Sequence, residues 1–452
     1  MASIFGTDGV RGQANVDLTP ELALSLGRAI VLLLDDQGER RPSIVVGRDP
    51  RWSGEMLESA LVAGITSAGG DAVSVGVLPT PGVAYLTARS SAAVGVMLSA
   101  SHNPVGDNGI KVFGPAGFKL DDAEEARIEE LVGIGAGRRP TGVRIGRRLT
   151  DPAAVARYIE HLTTVAATDL GGMRVVVDGA NGAAWNVAPQ VYRQLGAEVI
   201  AIHCSPDGAN INEDCGSTHP EVIRAAVLEH GADLGVSHDG DADRLIAASH
   251  EGTEVDGDVI LAILARQAHL EGALAGGTVV TTVMANLGFR RAMDGVGIAV
   301  HETPVGDRYV LEAMREFGHN LGGEQSGHII DLDRATTGDG VLTAARLMGI
   351  VRSTGTPLAE LSRVMQRAPQ VLLNVGGVDR ARLEGARPVW DEVERLGAEL
   401  GDEGRILLRA SGTEPVVRVM VEAVSEERAR EVADRLAAVV ARELAQGEGA
   451  GR

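Results

Sequence analysis

Residues 43–51 read "SIVVGRDPR", a β-branched run that stops at a polar turn before a helical pattern begins. The same design returns at 174–182, "RVVVDGANG", and at 278–286, "TVVTTVMAN". After each, a helix-like stretch leads to a second strand-like run that ends in a proline-containing loop. These are "AVSVGVLPTPG" (72–82), "EVIAIHCSPDG" (198–208) and "GIAVHETPVGDR" (297–308). A third run follows each time: "AAVGVMLSASHNP" (92–104), "ADLGVSHDGDADR" (232–244) and "GHNLGGEQSGH" (318–328). Strands alternating with helices make βαβ units and mostly parallel sheets. The sequence therefore predicts three tandem mixed α/β domains of similar plan.

Ligands of such sheets gather beyond the carboxyl ends of the strands. The loops SASHNP, HDGDADR and GGEQSGH all fall at that place. One such loop alone reads as well as a solvated turn; three in register, each with reactive residues, favour a shared site. Beyond residue 370 the pattern changes. "APQVLLNVGGV" and "RILLRASGTEPVVRVMVEA" predict antiparallel strands, and "SEERAREVADRLAAVVARELA" predicts an amphipathic closing helix. The expected domains are 1–152, 153–255, 256–370 and a smaller α+β domain at 371–452. The Gly- and Arg-rich stretch 133–150 is expected to cross from the first to the second, and the tail "QGEGAGR" to be disordered.

At 452 residues the chain is too long for one core. A formal net charge of −20 argues against nucleic acid or an anionic membrane as partner, while leaving room for a locally basic site that binds an anionic substrate. The two cysteines, Cys204 and Cys215, form no CxxC pair and read as reduced thiols of a cytoplasmic protein. No signal peptide and no membrane span are expected.

"HDGDADR" sets Asp239, Asp241 and Asp243 at alternate positions. Three carboxylates that close stay ionised together only around a cation, and oxygen ligands suit Mg²⁺ or Ca²⁺. The EF-hand pattern fails, because its sixth position is Arg244 and its twelfth is His250. Arg244 is a candidate to hold the transferring group. In "RASGTEPVVR", Arg409 and Arg418 flank a Ser-Gly-Thr turn, the makings of a phosphate cradle from Ser411, Gly412 and Thr413. Glu324 and Ser326 of "GGEQSGH" can bond sugar hydroxyls, with His328 following. Arg11, Arg48, Arg51, Lys111 and Lys119 provide cations for phosphates. Ser99 and Ser101 both stand in the first loop, without the spacing of a hydrolytic triad. A serine, a metal-type loop, a hydroxyl-binding loop and a phosphate cradle are what phosphoryl transfer on a phosphorylated sugar needs.

In order along the chain, "FGTDGVRG", "SASHNPVGDNGIKVFG", "DGANGAA", "GANINEDCGSTHP", "VSHDGDADR", "TPVGDRYV", "GGEQSGHII" and "RASGTEPVVRVMVE" resemble the α-D-phosphohexomutases from Ile4 to about Ala438. "NINEDCGSTHP" and "GGEQSGH" resemble the amino-sugar branch more than the mannose and glucose branches. The resemblance implies four domains around a central cleft, the last a phosphate-binding lid. It makes Ser101 the phosphoryl carrier and places one Mg²⁺ on Ser101, Asp239, Asp241 and Asp243. It implies interconversion of hexosamine 6- and 1-phosphates through a sugar 1,6-bisphosphate that also acts as activator. Lys111, Arg11 and His328 are the implied proton carriers, with Lys111 first. Glu324, Ser326, Arg244, Arg409, Ser411, Gly412, Thr413 and Arg418 would bind the substrate. A homodimer is expected by the same analogy.

Overall fold

The computed structural model describes residues 4–6, 8–134, 139–411 and 416–445. By its internal contacts the chain divides into two units, one of residues 1–284 with 296–364, the other of 285–295 with 365–452.

The first unit holds three sheets. In the first, β2 (Ser43–Arg48) pairs in parallel with β3 (Asp71–Val77) and β4 (Val94–Leu98), and β5 (Asp107–Phe113) runs antiparallel beside β4. The edges are β1 (Val10–Gln13), antiparallel to β5, and β6 (Arg148–Thr150), parallel to β3. The second sheet pairs β7 (Arg174–Asp178) in parallel with β8 (Glu198–Ile202) and β9 (Leu234–His238). Antiparallel β10 (Leu245–Ser249) and β11 (Glu254–Val255) complete it. In the third, β12 (Thr278–Thr282) lies parallel to β13 (Ala299–Thr303) and β14 (Leu321–Gly323), with β15 (Ile329–Asp331) antiparallel to β14.

Stripped of edges, the three orders coincide: β5-β4-β2-β3, β10-β9-β7-β8 and β15-β14-β12-β13. The predicted repeat is thus present, with one addition. Each third strand turns straight back as an antiparallel fourth, so the three loops singled out above are hairpin connections at equivalent places. The stretch 133–150 is more than a linker, because β6 adds to the first sheet; residues 135–138 lie outside the described residues.

Burial explains the strands. In β2, Ile44, Val45, Val46 and Gly47 are buried, and β4, β9 and β10 are buried at every position. Such strands are covered on both faces and read as continuous apolar runs. The helix Pro20–Asp36 starts from Thr19, whose hydroxyl accepts from the Leu22 amide, and packs Leu26, Ile30 and Leu33 into the first core. It crosses the helix Trp52–Ala68 so closely that a Cβ on Gly27 would stand 2.3 Å from Leu61 O.

The second unit is an antiparallel sheet, β16 (Gln370–Val375), β18 (Val417–Glu422) and β17 (Arg405–Ala410), with β18 central. Helices Arg387–Leu400 and Glu426–Glu443 bury Val389, Leu396, Val432 and Leu436 in its core. Helix Leu287–Gly295 belongs with it: the buried Glu422 carboxylate accepts from Asn286 Nδ2 and from the Leu287 amide, each at 3.0 Å. The tail from residue 446 lies outside the described residues. No described helix is long and apolar enough to cross a membrane.

Candidate active site

Ser101 lies three residues past the end of β4, 1% exposed, with a left-handed backbone (φ 53°). A non-glycine residue in that region is held there by its surroundings. Its amide donates to Ser99 Oγ at 2.9 Å, and the Ser99 hydroxyl donates to Asp49 Oδ2 at 2.6 Å. Its carbonyl accepts from Arg51 Nη2 at 3.0 Å and from Asn212 Nδ2 at 2.9 Å. Arg51 is wholly buried; it pairs with Asp49 at 2.9 Å and also donates to the carbonyls of Asn103, Pro104 and Asp107. Ser99 is therefore a fastening of the turn, while the Ser101 hydroxyl faces the aspartate cluster. That hydroxyl donates to Asp239 Oδ2, 138 residues away, and lies 3.4 Å from His102 Nδ1. Burial, with Arg244 and Arg11 nearby, lowers His102 to about 4, so the ring is neutral near pH 7.

Asp239, Asp241 and Asp243 stand in the β9–β10 hairpin, buried, with ligand oxygens within 4.8 Å of one another. Gly240 lets the hairpin approach, since a Cβ there would stand 2.4 Å from Ser101 O. Burial and the charges of Asp243 and Asp241 push the Asp239 carboxyl well up. Burial pushes Asp241 the same way, but Lys111 at 2.9 Å and the Thr80 hydroxyl at 2.6 Å outweigh it and hold it ionised. Asp241 Oδ1 and Asp243 Oδ1 are buried without a hydrogen-bond partner. Three hard oxygens crowded together, two of them orphaned, fit a divalent cation such as Mg²⁺.

Lys111, in β5, is almost fully buried. Its Nζ lies 2.9 Å from Asp241, 3.3 Å from Asp243 and 3.2 Å from Asp8. Burial works against its charge, yet these carboxylates raise its pKa well above the usual lysine range. In this arrangement Lys111 is held as an ammonium. Asp8 also pairs with Arg11 and, at 2.5 Å, with Lys119, whose Nζ reaches Asp307 at 2.6 Å. His328 Nε2 lies 3.6 Å from Asp307 Oδ2; the ring is buried and neither nitrogen makes a hydrogen bond. The β14–β15 hairpin presents Glu324, whose pKa burial raises, and Ser326, whose hydroxyl is buried without a partner. An isolated bridge ties Arg244 to His328, so the second and third hairpins touch. Ser101, the three aspartates, Lys111, Arg11, Arg244, Glu324, Ser326 and His328 thus all belong to the first unit.

In the second unit, Arg409 and Arg418 face each other across β17 and β18. Burial and the Arg418 charge lower the Arg409 pKa. Like charges directly opposed on a sheet repel, and an anion relieves that. Ser411 is buried beside them and donates its amide to Val416 O at 2.9 Å. Gly412 and Thr413 lie outside the described residues.

Three cations suggested as phosphate binders have other work. Arg48 pairs with Glu55 and Glu58, Arg51 clamps the Ser101 turn, and Lys119 bridges Asp8 and Asp307. Sequence reasoning missed Asn212, Thr80, Asp8 and Asp307 as parts of the site. The only local signal was that Asn212, Asp8 and Asp307 fall inside Gly-rich polar loops.

Comparison with known proteins agrees with this geometry. The chain matches the phosphoglucomutase/phosphomannomutase α/β/α domain I at 2–135, domain II at 156–252, domain III at 256–368 and the C-terminal domain at 372–439. It is 58% identical over 446 residues to a phosphoglucosamine mutase of Mycolicibacterium smegmatis, covering 97% of this chain and 98% of that one. Another, of Thermobifida fusca, is 56% identical over 98% of this chain and 99% of its own. A solved phosphoglucomutase/phosphomannomutase family protein of Burkholderia thailandensis superposes with a TM-score of 0.84 at 26% identity, over 99% of this chain and 98% of that one. The chain belongs to the phosphoglucomutase/phosphomannomutase family, the α-D-phosphohexomutases. Its curated relatives at 54–58% identity are phosphoglucosamine mutases.

Proposed function

We propose that this chain is an isomerase that interconverts glucosamine 6-phosphate and glucosamine 1-phosphate, with Ser101 as phosphoryl carrier. The observation that carries the reading is the Ser101 hydroxyl bonded to Asp239 within the buried carboxylate cluster, in a chain whose near-full-length relatives are phosphoglucosamine mutases. A Mg²⁺ ion held by Asp239, Asp241, Asp243 and Ser101 would neutralise charge on the transferring phosphoryl group.

With Ser101 phosphorylated, a sugar hydroxyl oxygen bonds to phosphorus as the bond to Ser101 Oγ breaks. The sugar hydroxyl loses its proton, and Oγ gains one. Lys111 in its ammonium form is suited to supply the proton to Oγ. His328, buried with both nitrogens unbonded, is the acceptor we assign to the sugar hydroxyl. Arg11 and Arg244 hold phosphoryl oxygens, and Glu324 and Ser326 hold sugar hydroxyls. The bisphosphate formed then returns its other phosphoryl group to Ser101, so a sugar 1,6-bisphosphate also serves as activator. On the family resemblance we assign phosphate binding in the C-terminal domain to Arg409, Ser411, Gly412, Thr413 and Arg418. We assign the protein to the cytoplasm as a homodimer on the family resemblance alone.

The test is a coupled assay on glucosamine 6-phosphate beside glucose and mannose phosphates, with intact-mass measurement of the purified chain. The reading requires glucosamine 1-phosphate as the main product and one phosphoryl group on Ser101. Steady release of inorganic phosphate instead would make the protein a phosphatase.

A further inference from the structure

Away from the phosphoryl-transfer residues, the second sheet brings together Asp178 at the end of β7, His203 just past β8, and Cys215 in the loop that follows. Their ligand atoms all lie within 4.8 Å of one another. Asp178 and Cys215 are fully buried, and the His203 side chain is 34% exposed, which leaves a way in from solvent. His203 Nδ1 is a buried atom 3.3 Å from Asp178 Oδ1, and this contact with the carboxylate raises the imidazole pKa. That spacing also suits two ligands of one metal ion. Two ligands each about 2.1 Å from a tetrahedral centre stand about 3.4 Å apart.

We propose that Asp178, His203 and Cys215 form a second metal site, selective for a tetrahedral transition metal of the Zn²⁺ type over Mg²⁺. The donor set supports the selectivity: one carboxylate, one imidazole and one thiolate suit Zn²⁺, whereas Mg²⁺ takes oxygen. The backbone supports it as well. His203 sits in the left-handed region (φ 45°), as do Ala180 (φ 54°) and Asn181 (φ 44°) in the turn after Asp178. Three non-glycine residues held in that region fix both turns. Asp178 is itself aimed by two amides, Ala180 to Oδ1 at 2.9 Å and Gly216 to Oδ2 at 3.0 Å. Cys204 packs against the neighbouring turn, its Sγ 2.7 Å from where a Cβ on Gly179 would stand. Without a cation, burial and the carboxylates of Asp178, Asp214 and Glu213 push the Cys215 thiol up to about 12. Binding forms the metal–Sγ bond as the thiol proton passes to buffer, and the imidazole contributes a nitrogen lone pair.

The site would be structural. It closes the base of the loop between His203 and Cys215, and that loop carries Asn212, which donates to the carbonyls of Ser101 at 2.9 Å and Asn103 at 3.1 Å. A clip there steadies the turn that presents Ser101 without touching the reacting atoms.

Co²⁺ is the probe, because a thiolate ligand gives it a charge-transfer absorption that oxygen ligands do not. The full chain is stripped with chelator, saturated with Mg²⁺ to fill the aspartate loop, and titrated with Co²⁺. One equivalent should bind with the thiolate band, and one equivalent of Zn²⁺ should erase it. The band should vanish in Cys215→Ser and survive in Cys204→Ser. His203→Asn should weaken the midpoint roughly tenfold or more; it carries the test if Cys215→Ser does not fold. No band in the unaltered chain, or the same band and midpoint in the variants, overturns the proposal. So does a Cys204–Cys215 disulfide, read as a mass two hydrogens lower, in freshly purified protein.

Discussion

Lys111 Nζ lies 2.9 Å from Asp241 Oδ2, a contact that joins the fourth strand of the first sheet to the third–fourth hairpin of the second. A buried ammonium and a buried carboxylate hold each other ionised, and removing either leaves an uncompensated charge. Asp241→Asn should raise the Mg²⁺ concentration for half-maximal turnover roughly tenfold or more and lower kcat with it. Lys111→Met should lower kcat by about 10²-fold or more while changing the metal midpoint less. Metal titration of turnover in both variants separates the two roles; an unaltered midpoint in Asp241→Asn would sink the metal assignment.

Ser101→Ala should reduce turnover by roughly 10⁴-fold or more and abolish phosphoryl incorporation, since it removes the hydroxyl that bonds to Asp239 in the carboxylate cluster. Ser99→Ala should keep incorporation. It leaves the Ser101 amide and Asp49 each short of a partner, worth about 1–3 kcal/mol of stability. Intact-mass and rate measurements on both variants check this, and equal loss of phosphorylation would count against Ser101 as the carrier.

Arg51→Met should be among the most destabilising single changes in the first domain. It strands the buried Asp49 and takes one donor from four carbonyls of the Ser101 turn, two of which keep Asn212, and the cost of breaking such a pair is about 3–5 kcal/mol. Denaturant unfolding measures it. A loss within the range of ordinary surface substitutions would show that the clamp is dispensable.

His238 is buried between Tyr192 Oη at 3.1 Å and Arg244 O at 3.2 Å, and burial lowers its pKa to about 4. The carbonyl requires Nδ1–H to donate, so Nε2 accepts from the tyrosine. Unfolded, the ring takes up a proton near pH 6.5, while in the fold it resists until about 4. The unfolded state therefore binds more protons between these values, and stability falls as pH falls through that window. Asp339, raised by burial to about 6, acts in the opposite sense between the unfolded carboxylate range and that value. Melting temperatures from pH 7 to 4 should fall less steeply for His238→Gln than for the unaltered chain; parallel curves would contradict the assignment.

The parallel strands were legible because buried strands advertise themselves as apolar runs ended by polar turns, as in Ser43–Arg48 and Arg174–Asp178. The antiparallel fourth strands were not, since Leu245–Ser249 or Ile329–Asp331 does not encode the direction of its partner. Ser101 and the aspartates stood out because reactive side chains cluster in one short segment. Arg51 did not: its partners are backbone carbonyls, which every residue has and no residue type announces. Lys119 and Asp307 were opaque for a related reason, because an ion pair 188 residues apart leaves no local mark.

The repeated strand order has a consequence for how such a protein can change. One connection, between the third and fourth strands, is used three times, and under the proposed function each copy has taken a different duty: nucleophile, cation, sugar. Duties kept in separate segments can drift separately. Substitutions in 324–326 can redirect which hexose is accepted while His328 and the chemistry in 99–106 and 239–244 stay intact. A new specificity can then arise from a few neighbouring codons, with no new fold and no loss of the reaction along the way.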